Sequence, residues 1–322
     1  YNPPMDVVVC HISALHYWLS HPGGPDMRTL CADGMPQPTF PLREAQIARA
    51  VSVLPEERQN ERLHLLGKSH HAVKDSRAVA LHTTSLELAP TDFHRAAPNV
   101  FVCSPEFALI QSAPSLSDAE FLRVAFALCG TYRIVDSNAF PLTTPMKINQ
   151  AITHMARLRG AKCTRRLAPH IMENAASPRE TALVLHLCLP YRLGGYGFPH
   201  PELNAVVKLD ERTRRLAGKQ YLSPDLLWRQ AKIAIEYDSD EWHTASTRIA
   251  RDAQRRSIFT HLGITEICVT RRQFNDLVAL DKVARVLARQ LHHRIHPRDN
   301  DFRKKQIELR KQLIAPLFAV RK

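Results

Sequence analysis

Apolar residues recur every three or four positions in some stretches of this chain and run unbroken or alternate in others, and the two periods predict helices and strands. Residues 7–19 are one apolar stretch; its second half predicts a short helix from about Ser13, ended by the Pro-Gly-Gly-Pro breaker at 22–25. Ile47, Ala50, Val51 and Leu54 share one face of a helix predicted over 42–54. Strands are predicted at 62–67, 78–84 and 100–103. Helices follow at 105–113, where Ser104 caps and Pro105 fits the first turn, and at 117–129, with Phe121, Val124, Ala125 and Leu128 on its apolar face. Thr144-Pro145 opens a helix over 148–158, which breaks at Gly160 and resumes over 161–172. The pattern up to residue 145 is that of a mixed α/β module.

Beyond it, Ser177-Pro178-Arg179-Glu180 reads as a capping box, with Glu180 reaching back to the serine amide. Gly194-Gly-Tyr-Gly197 lacks the lysine of a phosphate-binding loop and reads as a flexible turn into a strand near 205–208. Residues 221–243 predict two short strands with Arg229-Gln230 at the bend, so that Asp225 precedes the bend and Glu236 and Asp238 follow it. With a side-chain period of two, Glu236 and Asp238 point to one face, and Lys232, four residues before Glu236, shares that face. Crowded carboxylates at a strand end suit a hard divalent cation, although such acidic runs are commonly solvated loops. Ser246 caps a helix to about His261, residues 264–270 predict a buried strand, and 279–292 a helix.

Pro224-Asp225 followed by Glu236, together with the order of Glu180, the 191–204 segment, Asp238, Trp242-His243, Arg251-Asp252 and the 264–270 strand, resembles the restriction-endonuclease-like PD-(D/E)XK superfamily. The similarity is to the domain related to very-short-patch-repair endonucleases, found in many bacterial proteins, and covers about a third of the chain. Asp238 stands where the family's lysine would be. The resemblance implies a mixed sheet flanked by helices and a magnesium- or manganese-dependent endonuclease, with Glu180, Asp225 and Glu236 as metal ligands. In the hydrolysis expected from it, Asp238 orients a metal-bound water, His243, which titrates near neutral pH, acts as general base or protonates the leaving oxygen, and DNA, in preference to RNA, is the substrate.

Composition adds the partner. Forty-four Lys and Arg against 31 Asp and Glu give a net charge of +13, which suits a polyanion. Arg165 and Arg166, within a basic run from Arg157, and Arg248, Arg251 and Arg255 on the helix after the acids are the candidate phosphate contacts, with Lys232 as a further one. Seven dispersed cysteines without a Cys-x-x-Cys pair suit a reducing cytoplasm and argue against disulfides and zinc, and the histidine pairs lack partners at ligand spacing. No export segment or membrane-spanning run is read, so a membrane partner is not expected. The expected organisation is an N-terminal module over 1–145, a basic helical linker over 146–173, an endonuclease-like domain over 174–292 and a basic tail over 293–322. The rival expectation is a nucleic-acid-binding regulator or antitoxin-like protein that uses the same scaffold without cleavage.

Overall fold

In a computed structural model of the chain, residues 6–20, 35–38, 42–67, 76–132, 139–238, 245–297 and 300–318 are described, and they form two compact units, 1–173 and 174–322. Each unit is α/β.

Unit 1 runs β1 (Val7–Val9), α1 (His11–Ser20), α2 (Glu44–Ser52), β2 (Leu63–Gly67), β3 (Val79–Thr83), β4 (Phe93–Ala97), β5 (Val100–Cys103), α3 (Pro105–Ser112), α4 (Asp118–Cys129), α5 (Pro145–His154) and α6 (Ala161–Leu167). The apolar stretch at 7–19 is therefore a strand followed by a helix that starts at His11, earlier than its periodicity suggests, because Val7, Val8 and Val9 are claimed by sheet pairing. The sheet order is β3-β2-β1-β5-β4, with β1 parallel to β5 and antiparallel to β2. Trp18, Phe107, Phe121 and Phe126 are fully buried in this unit. The α6 helix ends at Leu167 rather than near 172, since Pro169 sits in the tighter turn Ala168–His170 that follows. The basic run is thus part of unit 1, and Arg166 makes a bidentate ion pair with Asp118 at 2.6 and 2.5 Å.

Unit 2 runs α7 (Pro178–Cys188), β6 (Glu202–Leu203), β7 (Val207–Lys208), α8 (Glu211–Ala217), β8 (Tyr221–Leu222), β9 (Leu226–Trp228), β10 (Ile233–Asp238), α9 (Ala245–His261), β11 (Thr265–Thr270), α10 (Arg271–Asn275), α11 (Leu277–Gln290) and α12 (Phe302–Ile314). Its main sheet has the order β11-β10-β9-β6, with β10 parallel to β11 and antiparallel to β9; β7 and β8 form a separate antiparallel pair. The strand at 264–270 is an edge strand, so only Val269 of β11 is buried, not the whole element as its apolar run suggests. The glycine turn is tight, not flexible: Gly194 has φ +87°, and a Cβ there would meet the Lys305 carbonyl oxygen at 2.6 Å. That close approach seats α12, so the basic tail docks on its own unit. Phe302 packs edge-on to Tyr191, Arg303 donates to Asp281 at 2.9 Å, and Arg310 donates to the Phe274 carbonyl at 2.6 Å. Phe274, fully buried, receives Tyr237 edge-on at 5.7 Å and His186 at 6.0 Å.

Candidate metal and nucleic-acid site

Of the hairpin expected at 221–243, β9 and β10 pair within 226–238, with Ile233 opposite Trp228 and Ile235 opposite Leu226, while Tyr221–Leu222 pairs with β7 and residues 239–243 lie outside the described residues. One step further along this register, Asp225 faces Glu236 across the ladder, the position where two like charges repel most. Tyr237 N donates to Asp225 Oδ2 at 2.7 Å, which fixes the aspartate against β10. Both carboxyls are pushed above the ordinary range. Burial raises Glu236 to about 8, aided by the charge of Asp225 and opposed by Arg255; burial, then the charge of Glu180, raises Asp225 to about 6.

Glu180 comes from α7. Its place at the third helical position follows from the Ser177 cap, whose Oγ accepts from Glu180 N at 3.1 Å and donates to Glu180 Oε1 at 2.8 Å. The back-reach goes to Ala176 N at 2.9 Å, one residue before the serine amide expected from the capping-box pattern. Asn204 then ties helix to sheet. Its Nδ2 donates to Glu180 Oε2 at 2.7 Å and to the Asn174 carbonyl at 2.9 Å, while its backbone N donates to the Asp225 carbonyl at 3.1 Å. With φ +48°, Asn204 occupies the left-handed region that asparagine tolerates better than most residues. It is a positioning residue that the sequence pattern did not single out.

Glu236 and Asp238 line a cleft of about 330 Å³ together with Arg255, Arg256, Glu266 and Cys268. The parallel register explains the company: Ala234 pairs with Glu266 and Glu236 with Cys268, so both β11 side chains stand on the acid face. Glu266 further raises Glu236. Arg255 of α9 pairs closely with Glu236 Oε1, while its own buried Nε has no hydrogen-bond partner among the described residues. Its guanidinium also lies 5.9 Å from the Phe259 ring centre.

Other expected residues fall elsewhere. Lys232 lies in the turn at φ +55°, exposed and at the opposite end of β10 from Glu236, so it does not share the strand face with the acids. Its backbone strain is that of a tight bend, and its carbonyl accepts from Thr265 N at 2.8 Å. Ser246 belongs to α9, which begins at Ala245, so it is inside the first turn rather than before it. His243 and the side chains of Arg248 and Arg251 lie outside the described residues. Arg165 is exposed and Arg166 is engaged by Asp118, both within unit 1.

The donor set fits a hard cation. Asp225 and Glu236 offer only oxygens, and magnesium is commonly held by one or two carboxylates plus substrate phosphates. Glu180 is close enough to raise Asp225, yet the three carboxylates do not form a group whose ligand atoms all lie within 4.8 Å of one another. Among the described residues such a group occurs in unit 1, at Cys10, His11 and His82, against the expectation that the cysteines and histidines hold no metal-like cluster. No helix among the described residues is long and apolar enough to cross a membrane. Comparison with family models, with curated proteins and with solved structures gave no match.

Proposed function

We propose that residues 174–322 form a restriction-endonuclease-like domain that hydrolyses phosphodiester bonds with magnesium or manganese, acting on DNA in preference to RNA. The observation that carries this reading is the pair of half-buried Asp225 and buried Glu236, opposed across a hairpin, with Glu236 lining a cleft that also holds Arg255 and Arg256. Like charges buried face to face are costly unless a cation or a proton relieves them. The charge balance supports the same unit: residues 174–322 carry 27 Lys and Arg against 16 Asp and Glu, whereas 1–173 carry 17 against 15, so nearly all the excess positive charge lies with the acid pair.

In this reading Asp225 and Glu236 hold the ion, with Glu180 positioned behind Asp225 by Asn204. A bound ion would polarise the phosphate and lower the pKa of the attacking water. Asp238 orients that water, and Arg255 and Arg256 bind the flanking phosphates. For Glu236 to turn to the ion, Arg255 must leave its carboxylate and take a substrate phosphate, an exchange of one anion for another. The proton exchange with the leaving oxygen is assigned to His243 by the resemblance, and this residue lies outside the described residues. Incubation with labelled DNA or RNA and magnesium or manganese tests the reading. Cleavage is expected in the native chain and absent from Asp225→Ala and Glu236→Ala; cleavage that survives both substitutions refutes it.

A second reading has its own support. Glu180 is saturated by Ala176, Ser177 and Asn204, and Arg255 already occupies the Glu236 carboxyl. Those contacts suit a regulator or antitoxin-like protein that binds nucleic acid without cutting it. It predicts salt-sensitive binding in the native chain and no metal-dependent cleavage.

A further inference from the structure

In unit 1, β1 ends at Val9 and α1 begins at His11, so Cys10 and His11 occupy the junction between strand and helix. His82 reaches the same place from β3, two strands away in the order β3-β2-β1. One ligand atom from each of the three residues lies within 4.8 Å of the others. His11 Nδ1 is 3.3 Å from Cys10 Sγ, close to the ~3.5 Å edge that a thiolate and an imidazole span on a tetrahedral zinc ion. The His11 and His82 rings stack with centres 3.5 Å apart, so one ring must turn before both nitrogens face one ion, and His64 Nδ1 lies 2.8 Å from His82 Nε2.

Three further features separate this cluster from ordinary core packing. His11 is held at φ +50°, a region that a residue with a side chain seldom adopts, and strain of this kind gathers where a side chain must be aimed. Its backbone N donates to Gln111 Oε1 at 3.2 Å, which anchors the strained turn to α3. The burial is graded: Cys10 is fully buried, while His11 and His82 line an open cleft of about 520 Å³ whose walls also carry Arg157 and Arg159. A closed structural zinc site has four protein ligands; three ligands beside a cleft leave one position for water or a substrate.

We infer that Cys10, His11 and His82 form a binding site for a divalent transition metal of the zinc class, with a fourth position open to the cleft. One thiolate and two imidazoles are a donor set that zinc and cobalt favour and magnesium does not. His64 is the outer partner that orients the His82 ring, as hydrogen-bonded neighbours of metal-bound histidines do. Arg157 and Arg159 give the open position an anionic preference, so the ligand class that fits it is a small anion, such as a phosphate or carboxylate group. This site is separate from the acid pair and does not depend on it.

Cobalt titration of the full chain, stripped beforehand with a chelator, tests the inference. One equivalent is expected to bind and to give a thiolate-to-cobalt charge-transfer band, which zinc then displaces. Cys10→Ser is expected to lose the band. His82→Ala is expected to weaken binding by roughly 100-fold, and His64→Ala by roughly 10-fold or more. Circular dichroism of each variant separates loss of ligand from loss of fold, and His82, only half-buried, supplies the test if the buried Cys10→Ser variant does not fold. Absence of stoichiometric binding in the native chain overturns the inference. So does a band that persists in Cys10→Ser, which would place the cobalt on another thiol, such as Cys163 or Cys268, the more accessible ones among the described residues.

Discussion

The raised acids of unit 2 should make the chain less stable as pH rises, and Glu236→Gln should remove much of that dependence. Burial lifts Glu236 from 4.5 to about 8, so between those values the folded chain keeps a proton that the unfolded chain has released. A native state that holds more protons loses stability with increasing pH; this contribution is intact below about pH 4.5 and fully lost above about pH 8. At about 1.4 kcal/mol per pKa unit the ceiling is about 5 kcal/mol, and the ion pair with Arg255 on a half-exposed side opens the site to water, which brings a working figure to about 2–3 kcal/mol. Glutamine keeps the size of the side chain and an acceptor for Arg255 but cannot ionise. Urea unfolding at pH 5 and pH 8 without divalent cations should therefore show the native chain losing about 2–3 kcal/mol more than Glu236→Gln over this interval. Saturating magnesium at pH 8 should restore that loss in the native chain alone, since a ligand at one hundred times its Kd contributes about 2.7 kcal/mol. Superimposable pH profiles for the two proteins would refute the reasoning, because they would mean that Glu236 ionises in the fold as freely as in water.

Other substitutions probe the supports of the site. Ser177→Ala should cost about 1 kcal/mol in unfolding free energy by removing the cap of α7, and should loosen Glu180 with it. Asn204→Ala should cost about 1–3 kcal/mol and weaken magnesium binding measured by calorimetry, since it releases Glu180 from the sheet and leaves the Asn174 carbonyl without that donor. Gly194→Ala should destabilise by more than about 1 kcal/mol in thermal unfolding, because a positive φ and the Lys305 backbone both reject a methyl group. Phe274→Ala should cost about 3–5 kcal/mol and reduce any cleavage activity, since the cavity opens beside Tyr237.

Local chemistry was the part of this protein most legible in its sequence. Ser104, Ser117, Thr144 and Ser177 announce helix starts through their own side chains, and each accepts from the amide three residues on. The hairpin acids were legible for the same reason, as a turn and an alternation are short-range signals. What depended on pairing between distant strands was hidden. Glu266 and Cys268 join the acid face only through the register of β10 with β11, and Asn204 joins Glu180 across 24 residues of chain. Cys10 and His82 are brought together by sheet order alone, with no spacing rule linking positions 10 and 82. The solvent-facing β11 was misread because an apolar run does not tell a central strand from an edge one.

The ring of Phe274 is touched from one side by Tyr237, the neighbour of Glu236, and from another by Arg310 of α12. The acid strand and the helix 302–314 therefore rest on the same side chain. During synthesis the hairpin emerges some 70 residues before that helix, in the ~4–14 s that translation at 5–20 residues per second requires. Over that interval the strand that carries Glu236 and Tyr237 lacks the Arg310 side of its support.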